Sequence, residues 1–356
     1  MNRGALNFTA PDRLHITFDT SFDTPLPVKV DPLPLNFIRP PADGAEDEDT
    51  GSPFLTVHMP EQHIHHETEV IIPDQVVDIL DHEQLTAWFN EFFDKEEADL
   101  RLKADDLSAY LGALHYQVDL DKTIKVPGLN YLKGFGVQDM QFIIPPPPTG
   151  HNMRGHLTIP NAGVITLGMG NVTFDVMAGD IKLGMVYVYN LDLKPGNNTP
   201  PFEGDFYFDE LVPNLAGFMA TQHDALAHGM IELNATGNSA FHNGQRIAYV
   251  EGVLNQKSIP FRIPATTLLL DVVSGLLAGG ANGSGPPLLD TLGDVMGNKT
   301  LFENMLRHFE TGSDGGSSSA DGVGTHKVKR TMAQVLGRSM ETNLFRLGLR
   351  TLRSKF

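Results

Sequence analysis

Alternation of apolar and polar residues recurs along the first two thirds of the chain and predicts strands. Leu14, Ile16 and Phe18 alternate with His15, Thr17 and Asp19, as a half-buried strand requires when successive side chains leave opposite faces. Val172, Phe174 and Val176 alternate with Thr173 and Asp175 in the same way. Tyr187, Tyr189, Leu191 and Leu193 are expected on one face of a longer strand closed by the turn cluster Lys194-Pro195-Gly196-Asn197. Two segments break this period. Leu85, Trp88, Phe89, Phe92 and Phe93 stand at i, i+3, i+4, i+7 and i+8 behind Asp81, a residue suited to an N-cap, and predict a helix. Leu211, Leu215, Phe218 and Met219 repeat that spacing more weakly. Each helix is expected to lie across the end or open face of a sandwich in its own half.

An internal repeat organises these elements. Val28-Lys29-Val30 and Leu35-Asn36-Phe37 correspond to Ile165-Thr166-Leu167 and Val172-Thr173-Phe174 at an offset of 137, and Ile124–Pro127 corresponds to Phe261–Pro264 at the same offset. Leu100-Arg101-Leu102 matches Ile231-Glu232-Leu233 at an offset of 131, so loop lengths differ between copies. The expected fold is mainly β: two tandem antiparallel β-sandwich domains of immunoglobulin or fibronectin III type, over 8–135 and 136–265, with a few helices. Pro145–Pro148 is read as an extended connector between them, and the acidic segment Ala42–Ser52 as a solvated loop. Beyond residue 265 the pattern changes to a helical extension over 266–310, a Gly/Ser/Asp-rich flexible linker over 311–324 and a basic amphipathic tail over 325–356.

Composition narrows the function classes. The 356 residues carry 26 Lys plus Arg against 44 Asp plus Glu, a formal charge of −18 that opposes nonspecific attraction to nucleic acid, so no nucleic-acid partner is expected. With no cysteine, disulfides, thiolate metal sites and cysteine nucleophiles are excluded. The longest apolar run, Leu268–Leu277, is about half a membrane span and contains Asp271. Met1–Asn7 lacks the basic start and apolar run of a signal peptide, so the body is expected to be cytoplasmic unless an upstream segment is missing. The tail reverses the charge, with eight Lys or Arg and one acid over 325–356. On a helical wheel Phe345, Leu349 and Leu352 form an apolar stripe beside Arg346, Arg350 and Arg353, the arrangement of a helix lying on a membrane surface.

Three further segments, Thr158-Ile159-Pro160-Asn161, Gly170–Val176 and Leu191-Asp192-Leu193-Lys194-Pro195-Gly196-Asn197, carry a resemblance. The pattern they follow is a strand ending in Asn-Pro or a similar pair, a strand bearing a buried aromatic, and a strand closed by Pro-Gly-Asn. This resembles a fungal family of unknown function in the LEA type 2 (WHy) superfamily, nearest to vacuolar membrane proteins concerned with ending autophagy. The first half departs from the pattern with Asp23-Thr24-Pro25 at the strand junction and Pro73-Asp74 at the turn. The resemblance implies an antiparallel sandwich, a non-enzymatic role, a luminal body at the vacuolar membrane and lipid contact.

Candidate chemistry is sparse. Asn-x-Ser/Thr sequons stand at Asn7, Asn171, Asn197, Asn234, Asn282 and Asn298, candidate glycosylation sites that would suit a luminal body. In a strand, His63, His65 and Glu67 would share one face with zinc-ligand chemistry, but an exposed polar strand needs no metal, and none is expected. No GxSxG elbow, GxxxxGK[ST] loop or strand-to-helix GxGxxG motif occurs. The aromatic helix at Trp88 is read as core, with a lid over an apolar cavity as the alternative. The expected function is therefore a non-enzymatic, membrane-associated interaction or lipid-contact module, with no cofactor and with a lipid, a membrane surface or a protein as partner. The alternatives are a lipid-binding or lipid-transfer protein with an apolar groove, and a β-sandwich enzyme acting on glycans.

Overall fold

The computed structural model describes residues 3–41, 51–143, 148 and 150–265, other than 212–213, 215–217, 219–220 and 227. The expected extension, linker and basic tail lie outside the described residues, as do residues 42–50 of the acidic segment, 145–147 of the proline run, Leu215, Met219, Asn282 and Asn298.

The described chain is mainly β. Its strands are β1 Arg3–Asn7, β2 Arg13–Val30, β3 Leu33–Ile38, β4 Leu55–Met59, β5 Gln62–Asp78, β6 Glu97–Leu111, β7 Leu114–Pro127, β8 Gly136–Phe142, β9 Met153–Asn161, β10 Ile165–Ala178, β11 Ile181–Leu193, β12 Gly196–Asn198, β13 Pro201–Phe206, β14 Met230–His242, β15 Gln245–Arg246 and β16 Ser258–Pro264. All sixteen join one mixed sheet, an architecture consistent with a β-sandwich. The seam between the halves is β1, which runs antiparallel to β2 (Leu6 opposite Ile16) and parallel to β10 (Leu6 opposite Leu167). The paired strands of each half have counterparts: β6 pairs with β7 through Leu100 and Ile124, and β14 pairs with β16 through Ile231 and Ile263.

Leu14, Ile16 and Phe18 point into the core, as do Val172, Phe174 and Val176. The expectation for β11 needs correction. Leu191 and Leu193 are buried, but Tyr187 is half-buried and Tyr189 exposed, on the opposite face. The register against β10 shifts between Val172↔Val188 and Gly170↔Leu191, so Tyr189 and Asn190 together stand opposite Asn171. One extra residue reverses every side chain beyond it. Asn190 takes φ +50, a conformation asparagine tolerates, and its N–H donates to Asn171 Oδ1 at 2.9 Å.

Helix α1 spans His82–Asp94, and Asp81 caps it by accepting the Gln84 N–H at 3.0 Å. That bond, with a second from Ser52, holds the Asp81 carboxyl below its ordinary range. Leu85, Trp88, Phe89, Phe92 and Phe93 are all buried, as their spacing requires. Of the weaker helix of the second half, Leu211 and Phe218 are helical and buried, with the Phe218 N–H donating to the Asn214 carbonyl, Leu215 and Met219 lie outside the described residues, and helical turns flank it at Phe208–Leu211 and His223–Leu226. A further helix, α2 Ala248–Leu254, buries Tyr249, Val250, Val253 and Leu254. It can lie directly on β14 because Gly237 faces it: a Cβ there would stand 2.4 Å from that of Leu254. Phe8, from the turn between β1 and β2, packs between the helices, 5.3 Å from the Phe89 ring and 5.7 Å from that of Tyr249.

Candidate functional site

The aromatic face of α1 is core. Trp88 stacks between Phe54 at 5.7 Å and Phe92 at 5.4 Å, and its indole N–H donates to the Asp99 carbonyl at 3.1 Å. The apolar cavity beside it, lined in part by Leu6, Ile16, Leu85, Trp88 and Leu100, holds about 20 Å³, room for about one water molecule and far less than a lipid chain fills.

Tyr187 and Tyr189 alternate with the buried Val186 and Val188, which places two aromatics on the outer face of β8, β9, β13 and β11, while the Asn190 bulge returns Leu191 and Leu193 to the core. A shallow cavity of about 460 Å³ lies there, lined by Asp139, Gln141, Arg154, His156, Tyr189 and Glu203 among others. Arg154 and Glu203 stand opposite one another in the β9–β13 register, and Arg154 also donates to Gln141 Oε1. One strand position along, Asp205 accepts from the Tyr187 hydroxyl at 3.1 Å and pairs with His151 Nδ1 at 2.9 Å. Burial, reinforced by Asp205, pushes the Tyr187 hydroxyl up to about 12. These groups tie β9, β11 and β13 together and offer donors and acceptors of both signs to a polar ligand.

The described sequons fall in strands or close by. Asn171 in β10 and Asn197 in β12 are exposed, whereas Asn7 in β1 and Asn234 in β14 are half-buried. Asn171 Oδ1 is engaged by the Asn190 N–H, so Asn197 is the freer exposed candidate. His63, His65 and Glu67 all lie exposed in β5, with His63 bonded to Glu61 and His65 stacked edgewise on His66 at 4.1 Å. His66 takes φ +53 in this stretch, which breaks the regular alternation on which a shared ligand face depended. Among the described residues no group of three or more His, Asp or Glu side chains could hold a metal ion.

The second concave feature is apolar. Thr24, Pro25, Leu26 and Val28 of β2, Ala109, Tyr110 and Leu111 of β6, and Tyr116 and Val118 of β7 line a groove of about 360 Å³. The β6–β7 register sets Leu107 opposite Val118, Ala109 opposite Tyr116 and Leu111 opposite Leu114, so these six share one face. Leu26, Leu114, Tyr116 and Val118 keep 53, 56, 48 and 45 % of their surface exposed. Pattern alone would have placed them in a core, because alternation reports which face is apolar and not whether anything covers it.

Residues 52–176 match the family described as protein of unknown function (DUF3712). The matched stretch begins ahead of β4, takes in α1 and the β6–β7 pair, and ends within β10. No curated protein matches the chain. Among solved structures, a chain from a chaperone–tip adhesin complex of CFA/I fimbriae biogenesis aligns at 9% identity over 73% of this chain and 93% of that one, with a TM-score of 0.15. A score that low carries no argument about fold or function. Among the described residues, no helix is long and apolar enough to cross a membrane.

Proposed function

We propose that the chain is a non-enzymatic, membrane-associated β-sandwich protein that works as an interaction or lipid-contact module. The observation that carries this reading is the uncovered apolar groove on β2, β6 and β7, with Leu26, Leu114, Tyr116 and Val118 open to solvent around it. Contiguous apolar surface of this kind marks sites that meet protein or membrane. The segments Thr158–Asn161, Gly170–Val176 and Leu191–Asn197 add a more specific reading through their resemblance to LEA type 2 proteins. It is a position at the fungal vacuolar membrane, a body on the luminal side and a part in regulating autophagy. The sequons fit that compartment, and the stripe of Phe345, Leu349 and Leu352 beside Arg346, Arg350 and Arg353 offers a second route to an anionic surface.

Fractionation of the native cells, followed by glycosidase treatment, tests this reading. The protein is expected to pellet with membranes, to resist added protease until detergent opens them, and to gain mobility once its glycans are removed. Recovery in the soluble fraction, protease-sensitive and with unchanged mobility, would overturn the reading.

A further inference from the structure

The β6–β7 pair behaves differently from its counterpart in the second half. Beyond Ala104 in β6, and until Val126 in β7, no residue is fully buried; Leu107, Leu120 and Ile124 still rest against the core and Ala109 and Tyr110 pair with Val30 and Lys29 of β2, and the hairpin extends past them as an arm with its tip at Leu111–Leu114. In the second half the chain between β14 and β16 instead forms β15 and α2, which folds back and buries Tyr249, Val250, Val253 and Leu254. The first half thus leaves exposed what the second half covers with its own chain.

Charge along the arm has a sharp boundary. From Leu107 to Val118, through the turn at Gly112 and Ala113, there is no Asp, Glu, Lys or Arg; Asp105 and Asp106 stand just before this stretch, and Asp119 and Asp121 just after it. Leu107, Ala109, Leu111, Leu114, Tyr116 and Val118 form the apolar face. The other face carries Ser108, Tyr110, His115 and Gln117, with the Tyr110 and His115 rings stacked at 4.7 Å. The nearest charges on that side, Lys29 with Asp31 and Glu61, are already paired with one another, and Lys29 lies over the Tyr110 ring. A partner docking in the groove needs only one uncharged face. An arm whose tip is uncharged on both faces, with tyrosines set back from Leu111 and Leu114, suits surroundings that envelop it, as the interfacial layer of a bilayer does.

We infer that the β6–β7 arm inserts its tip, Leu111 to Leu114 flanked by Tyr110 and Tyr116, into the interface of a zwitterionic lipid bilayer. The inference rests on the membrane reading above and makes it specific. The acidic residues at the arm's base and the net charge of −18 disfavour anionic headgroups, so this contact has a lipid preference opposite to that of a basic tail.

The test uses the full chain in flotation with vesicles of phosphatidylcholine, alone or mixed with phosphatidylserine. Wild type is compared with a Leu114→Asp/Val118→Asp variant and an Arg346→Glu/Arg350→Glu/Arg353→Glu variant. Both arm positions are exposed, and unchanged fluorescence from the buried Trp88 verifies the fold. Wild type is expected to float with phosphatidylcholine alone, the arm variant to lose about tenfold in bound fraction, and the tail variant to retain binding. Flotation only with phosphatidylserine, lost in the tail variant, would overturn the arm while leaving membrane association standing. Flotation with neither vesicle would remove both. A concentration-dependent dimer that the arm variant abolishes, without lipid binding, would reassign the patch to a contact between copies of this chain.

Discussion

Lys257 Nζ donates to Asp94 Oδ1 at 2.7 Å, joining the end of α1 to the approach to β16 across 163 residues of sequence. The lysine side chain is 6 % exposed and lies 5.3 Å from the Phe93 ring centroid, whereas Asp94 is 45 % exposed. The pair is therefore asymmetric: water can take over the carboxylate, but not the ammonium. Asp94→Ala, which strands the buried lysine, should cost about 2 kcal/mol, while Lys257→Met, which fills the same slot with apolar volume, should cost under about 1 kcal/mol. Urea unfolding of the two variants checks the order.

The ring of Phe8 bridges α1 and α2, and it is 1% exposed. Phe8→Ala should lose about 3–5 kcal/mol through lost burial and the cavity it leaves. Because Phe8 touches a helix of each half, near- and far-ultraviolet melting curves of the variant should shift together.

Acid sensitivity follows from Glu251 and Asp81. Arg246, hydrogen-bonded to Glu251, holds that carboxyl below its ordinary value of 4.5, and the Gln84 N–H does the same for Asp81. A carboxyl lowered by folding stabilises fully above its unfolded value and loses that contribution as pH falls through the folded one. Glu251→Gln should thus lower the thermal midpoint at neutral pH and flatten its decline in acid. Thermal melts of wild type and variant across the acid range measure both effects.

Tyr187 is expected to be a late-titrating tyrosine, with its hydroxyl near 12. Spectrophotometric titration at the tyrosinate band should lose that late step in Tyr187→Phe, whereas in Asp205→Asn the step should move earlier yet stay above the ordinary tyrosine range, because burial remains.

The β10–β11 irregularity gives a further prediction. Gly170 adopts φ +71, and a Cβ there would stand 2.5 Å from the Phe241 carbonyl oxygen. Gly170→Ala should therefore destabilise by more than about 1 kcal/mol, whereas Asn171→Ala, which removes only the acceptor for the Asn190 N–H, should cost about 1 kcal/mol. Thermal denaturation separates the two.

Much of the fold was legible in the sequence where one local rule sufficed. Asp81 and the five apolar positions after it marked α1, and alternation marked β2, β10 and the body of β11. The flip within β11 was hidden because a bulge leaves no periodic trace; the one cue was Asn190, a residue at ease with positive φ. Helix α2 was hidden because Tyr249, Val250, Val253 and Leu254, rich in β-branched residues, satisfy a strand as readily as a short helix. The pairing of β1 with β10 has no local signature, since it joins Gly4 to Ile165. Of the surfaces that bear on function, the stripe of Leu114, Tyr116 and Val118 was passed over in the sequence, because alternation does not report that these side chains stay exposed, which is a tertiary fact.

The seam strand also sets a timetable for synthesis. β1 leaves the ribosome ahead of the rest of the sheet, yet the strand that occupies its second edge follows about 160 residues later. At typical elongation rates that edge stands open for roughly 8–30 s. The nascent first half must either shield it or be held by a chaperone, and a stall before residue 165 would strand a half-closed sheet ready to join its neighbours on the same message.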